Sequence, residues 1–154
     1  MKKLLLFLYA LTFFAVLVAD RLTKLYAVNS LTDTSCRVNK FLSFELVFNR
    51  GVTWGLFSSS NQLFFFLLSS ISLGVTFFLA RYMYMRWCQE KPVLGELFVV
   101  AGAIGNSIDR FWYHGVVDFI HVSIGTFSWP LFNVADIAIV IGVLFMFVTH
   151  IVYQ

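Results

Sequence analysis

An all-α integral membrane protein is predicted, with four transmembrane helices and a small extracytoplasmic β element between helices 1 and 2. Three observations lead there. Of the 154 residues 60% are hydrophobic and only 12% charged, against an apolar share of about 45–50% in soluble domains. Residues 4–25, 62–82 and 132–153 form three apolar stretches of about the 20 residues a bilayer crossing needs. A fourth stretch, residues 94–113, has the length but carries Glu96, Asn106, Asp109 and Arg110, so its polar side must face protein or water. Four such spans use more than half of the chain, which leaves a single domain, residues 1–154.

The first span opens with Met1-Lys2-Lys3 and an apolar run, the basic and hydrophobic regions of a secretory signal peptide. No Ala-x-Ala precedes Asp20, however, and Asp20 and Lys24 form an i,i+4 pair that carries the helix onward. An uncleaved first span is expected. After it, Leu42, Phe44, Leu46 and Phe48 alternate with Ser43, Glu45 and Asn49, with Val47 the exception, which predicts a strand with one apolar face. Asn49-Arg50-Gly51 reads as a turn, and Trp54, Gly55 and Phe57 lead into the second span as interfacial anchors. Lys2 and Lys3 before the first span, with Arg81, Arg86 and Lys91 in the tight connection from the second to the third, outweigh Arg37, Lys40 and Arg50. Both termini are therefore expected in the cytoplasm. In the third span Ala101, Gly102, Ala103 and Gly105 offer a surface on which a neighbouring helix can pack closely. Cys36 and Cys88 fall on opposite sides of the membrane and are not expected to pair.

With four spans, residues 26–61 and 114–131 emerge on the same side of the bilayer. Asp20 and Lys24 end the first span, Asn106, Asp109 and Arg110 end the third, and Asn133 and Asp136 begin the fourth. Asn49 and Asp118 lie in the two connections. All these polar groups collect at one membrane face.

Asp118 and Asp136 stand out as lone carboxylates in apolar sequence. In lipid an ionised carboxylate costs about 2.5–3.5 kcal/mol on insertion scales, so function is the first reading of such a group. Two carboxyl groups within a few ångströms share a proton: the ionised one takes a proton from water while the protonated one polarises a carbonyl. That is peptide hydrolysis without metal or covalent intermediate. The plainer alternatives are a buried ion pair with Arg110 or a proton relay. His114, Asp118 and His121 would line one face of a helix as metal ligands, but Gly115, Val116 and Val117 disfavour a helix there; no metal and no cofactor is expected. Neither Gly-x-Ser-x-Gly nor His-Glu-x-x-His occurs. A proton-coupled transporter would show internal repeats and broken helices, and a structural subunit would need no acid pair.

Taken together the motifs resemble those of the lipoprotein signal peptidases, also called signal peptidase II. The likeness runs through Asp20-x-x-x-Lys24, Asn49-x-Gly51 with Gly55, Ala101-Gly102-Ala103-x-Gly105-Asn106-x-x-Asp109-Arg110, Val116-Val117-Asp118-Phe119 and Phe132-Asn133-x-Ala135-Asp136. Ala101 replaces a glycine usual in the family, and Val52-Thr53-Trp54 stands where smaller residues are common. The resemblance implies an aspartyl endopeptidase of the bacterial inner membrane, active at the extracytoplasmic face, that cuts diacylglyceryl-modified prolipoproteins just before the lipidated cysteine. By position Asp118 and Asp136 would be catalytic. Asn49, Asn106, Arg110 and Asn133 would contact substrate backbone or orient the acids, and Asp20, Lys24, Gly51, Gly102, Gly105 and Asp109 would support the scaffold. Substrate and membrane phospholipid are the implied partners, with a monomeric enzyme and no nucleic acid.

Overall fold

The computed structural model describes residues 2–51 and 62–152; the expected anchors Trp54, Gly55 and Phe57, the Val52-Thr53-Trp54 departure and Tyr153 lie outside them. Four helices, α1 (Lys2–Ser30), α2 (Gln62–Cys88), α3 (Leu94–Tyr113) and α4 (Val134–Val152), are joined at one end by strands β1 (Cys36–Arg37), β2 (Leu42–Asn49), β3 (Val116–Ile124) and β4 (Phe127–Ser128). Helices α1, α2 and α4 are long and apolar enough to cross a membrane. In α3, Glu96, Asp109 and Arg110 lower the hydropathy, and the helix compensates by packing against all three others. Glu96 and Asp109 are buried there, Glu96 within 2.7 Å of Arg86 and Asp109 against Lys24.

The β element is larger than expected and does not belong to one connection. All strands form a single antiparallel sheet in the order β1-β2-β3-β4, with β2 and β3 in register from Leu42↔Val122 to Asn49↔Val116 across a bulge between Phe44 and Val47. Because β2 precedes α2 and β3 follows α3, the sheet itself holds both connections at the same end of the bundle. Val116, Val117, Phe119, Ile120 and Val122 favour a strand, yet their near-continuous apolarity hides the alternation that marks β2. Phe119 packs with Ala27 of α1 and Leu31 just beyond its end, and Phe44, Leu46, Ile120 and Val134 close around them. This small core seats the sheet on α1 and α4.

Helix α3 stops at His114, whose left-handed backbone (φ 54°) turns the chain into β3. The next residue, Gly115, lies so close to Phe48 and Asn49 that an added Cβ would sit 3.3 Å from the Phe48 carbonyl carbon. A helix carrying His114, Asp118 and His121 on one face therefore does not exist. His114 is a helix terminator, and His121 turns to Glu45 (3.1 Å) and Ser128 (2.6 Å).

Helices α3 and α4 meet backbone to backbone. A Cβ on Gly142 would come within 2.6 Å of the Gly95 carbonyl oxygen and 2.8 Å of the Val99 nitrogen, atoms that cannot step aside. Gly142→Ala is expected to destabilise by about 1–3 kcal/mol through overpacking, read as a lowered Tm. Gly74→Ala in α2, where a Cβ meets nothing within 4 Å, should be neutral or stabilising by up to about 1 kcal/mol; equal shifts for both would refute the close-packing account.

Candidate active site

The fourth helix begins with a reciprocal cap. Asn133 Oδ1 accepts the Asp136 N–H (2.9 Å) while Asp136 Oδ2 accepts the Asn133 N–H (3.1 Å), the pairing of a capping box. The signal, Asn133-x-x-Asp136, is legible in the sequence, and the reading from residues alone passed over it. Its effect is to pin Asp136 at the first turn of α4 while leaving Oδ1 to accept the Asn106 amide at 2.8 Å.

Asn133 also reaches the other acid. Its Nδ2 donates to Asp118 Oδ1 at 2.7 Å, and Asp118 Oδ2 accepts the Asn49 amide at 2.9 Å. Phe132 makes this possible by bridging to Ile120 of β3, which lays the start of α4 beside the strand that carries Asp118. Asn49 holds its own orientation through the Gly51 N–H, donated to Asn49 Oδ1 at 2.9 Å. One asparagine thus hydrogen-bonds both aspartates, and Asn106 and Asn49 each take one more carboxylate oxygen.

Beneath the acids lies a buried ionic hub. Lys24, fully buried, has its Nζ 2.9 Å from Asp20 Oδ2, 2.7 Å from Asp109 Oδ2 and 2.9 Å from Asn106 Oδ1. Arg21 pairs with the other oxygen of Asp109, so two cations balance two anions. Each scaffold acid then holds one backbone amide: Asp109 Oδ2 accepts the Val117 N–H (3.2 Å) and Asp20 Oδ1 accepts the Ala135 N–H (2.9 Å). Those amides belong to the residues immediately before Asp118 and Asp136. Gly105 provides the room, since a Cβ there would sit 2.6 Å from Asp20 Oδ2, and Gly102 abuts the Ala135 carbonyl.

Both acids open into a cavity of about 170 Å³ lined also by Asn49, Gly51, Asn106, Arg110 and Ser72. Arg110 lines the same cavity and faces the charges of Asp136 and Asp118, without a direct ion-pair contact to either among the described residues. Asp118 is 3% exposed, and burial, followed by the charge of Asp136, pushes its carboxyl up from 3.8 to about 7; the amides of Asn49 and Asn133 act in the opposite sense. A carboxyl pair with a proton to share at neutral pH can act as acid and base at once.

Comparison with known proteins decides the family. Residues 12–152 match the family model described as signal peptidase (SPase) II. The chain belongs to the signal peptidase II family. A lipoprotein signal peptidase of Geobacillus thermodenitrificans is 34% identical over 143 residues, 92% of this chain and 88% of that protein. One from Thermodesulfovibrio yellowstonii is 38% identical over 135 residues, covering 87% and 88%. Among solved structures, a bacterial membrane enzyme superimposes with a TM-score of 0.74 at 26% identity, covering 93% of this chain and 87% of its own. This member of the signal peptidase II family is accordingly a membrane-bound peptidase, and the polar residues of the described motifs gather at one cavity and the ionic hub beneath it. Three asparagines touch the acids, whereas Asp20, Lys24 and Asp109 touch one another, Arg21, Asn106 and the backbone amides of Val117 and Ala135.

Proposed function

We propose that the chain is a four-span, monomeric aspartyl endopeptidase of the bacterial cytoplasmic membrane, with both termini in the cytoplasm and α3 as the fourth span. It removes the signal peptide from diacylglyceryl-modified prolipoproteins just before the lipidated cysteine. The observation that carries this reading is Asn133, hydrogen-bonded to Asp118 and Asp136 together. The ionised member of the pair takes a proton from water, and the hydroxide oxygen bonds to the scissile carbonyl carbon while the protonated member donates to the carbonyl oxygen. Collapse of the gem-diol intermediate breaks the C–N bond as the nitrogen takes a proton from one carboxyl and a diol hydroxyl returns its proton to the other carboxylate, which leaves one proton between two carboxylates. Arg110 and the asparagines hold the substrate and the acids in place. An enzyme at the membrane face lets acyl chains stay in lipid while water reaches the bond.

The pair loses its last proton as Asp118 titrates, so kcat/KM should fall as pH rises through about 7 and fall again in acid, where both carboxyls are protonated and no base remains. The alkaline limb is the distinguishing readout: cleavage of a purified lipidated precursor that keeps rising past pH 9 would contradict it. A chelator should leave turnover unchanged; activity lost to chelation and restored by zinc would replace this reading with a metallopeptidase.

A further inference from the structure

Between Leu63 and Ala80 the polar side chains of helix α2 are all small hydroxyls, and three of them form a stripe. Ser69, Ser72 and Thr76 follow Phe65 at i+4, i+7 and i+11, which places all four on one helical face. Phe65 and Thr76 are buried against the bundle. Ser72 lines the cavity of the two acids. Ser69, one turn nearer the end of α2 that meets the first connection, lines a separate groove between α2 and α3, of about 170 Å³, with Phe65, Leu73, Ser107, Arg110 and Phe111. Arg110 belongs to both spaces, so the groove adjoins the catalytic cavity.

A serine in an apolar helix ordinarily returns its proton to the carbonyl four residues back. Ser70 does so to Phe66 (2.8 Å) and Ser107 to Ala103 (2.7 Å). Ser69 Oγ is buried and has no hydrogen-bond partner among the described residues, although such groups cost free energy when left unmatched. The Arg110 charge is answered by Asp136, Asp118 and Asp109, so the unspent donor of the groove is the Ser69 hydroxyl, within aromatic walls. Phe111 (83% exposed), Phe66 (57%) and Leu73 (55%) lie at its rim, so it opens toward lipid. Ser69 is seven residues from the start of α2 at Gln62, about 10 Å along the axis at 1.5 Å per residue, a depth near the boundary of headgroups and hydrocarbon. The fitting ligand is uncharged, accepts hydrogen bonds without donating them, and trails hydrocarbon outward.

We propose that the α2–α3 groove holds the glyceryl diester of the substrate's lipid-modified cysteine, with the Ser69 hydroxyl donating to an ester carbonyl. This rests on the peptidase reading above and adds to it a lipid subsite that selects acyl esters. Two synthetic precursors that differ only in lipid linkage, diacyl ester against dialkyl ether, test it on the full-length enzyme in lipid nanodiscs. Wild type should cleave the ester about 3- to 10-fold more efficiently, the worth of one neutral hydrogen bond, chiefly through KM. Ser69→Ala should lose that factor on the ester, keep its ether rate, and bring the ratio close to one. Ser107→Ala, whose hydroxyl is already satisfied, should keep the wild-type ratio. An equal loss on both substrates would overturn the assignment and place the hydroxyl against substrate backbone; an unchanged ratio in Ser69→Ala would overturn it as well. Competition by free phospholipid that Ser69→Ala abolishes, with no ester preference in wild type, would give the groove to a bulk lipid instead. Failure of wild type to cleave either precursor would bring down the peptidase reading itself.

Discussion

Asp118→Asn and Asp136→Asn each reduce cleavage of a lipidated precursor by at least about 10³-fold, the scale of removing one partner in a general acid–base pair. Asparagine keeps the shape and an acceptor oxygen at both positions but cannot take a proton from water. Because the two carboxyls act as a unit, the double variant should be no slower than either single one by more than a small factor. The fold is expected to survive both changes: the pair carries one negative charge between two carboxyls, and an asparagine in place of either keeps an acceptor oxygen and adds no charge at a buried or half-buried position, so the Tm should hold. Turnover is measured with purified protein and a diacylglyceryl peptide. Wild-type rates in either variant would exclude the pair as the catalyst, whereas a parallel fall in Tm would make the loss one of folding.

Lys24→Met is expected to be the most damaging substitution for stability. The ammonium lies among Asp20, Asp109 and Asn106 with no exposure, and its removal leaves two buried carboxylates with only Arg21 to answer them. Breaking a buried ion pair from one side costs about 3–5 kcal/mol. The loss should reach the site, because Asp109 and Asp20 hold the amides before Asp118 and Asp136. Neutralising the orphaned acids in Lys24→Met/Asp20→Asn/Asp109→Asn should recover part of the stability, with less recovery of turnover, since an asparagine holds a backbone amide more weakly than a carboxylate. A Lys24→Met protein with wild-type Tm and rate would refute the hub.

Much of the helical frame is visible in composition. Residues 94–113 and the strand at 42–49 coincide with α3 and β2, because a polar-striped span and an alternating strand both announce their period. The first two helices run further than the apolar stretches, to Ser30 and Cys88, since a helix continues past hydrocarbon wherever packing supports it. Strand β3 is hidden, because Val116 to Phe119 are buried in succession and such a run lacks a period of two. The metal alternative at His114 and His121 fails for the same reason: it needed a helix that the pairing of β3 with β2 forbids.

Local physics, then, accounts for which segments seek lipid and which polar residues must be hidden, because hydropathy and periodicity are properties of neighbours along the chain. It does not choose partners. Asp20 holds an amide 115 residues away and Asn49 an acid 69 residues away, and only the register of β2 on β3 and the close approach of α3 to α4 bring those atoms within reach. The meeting of Asp118 and Asp136 at Asn133 is a product of that long-range packing, in which every buried donor and acceptor around the acids competes for the same few matches.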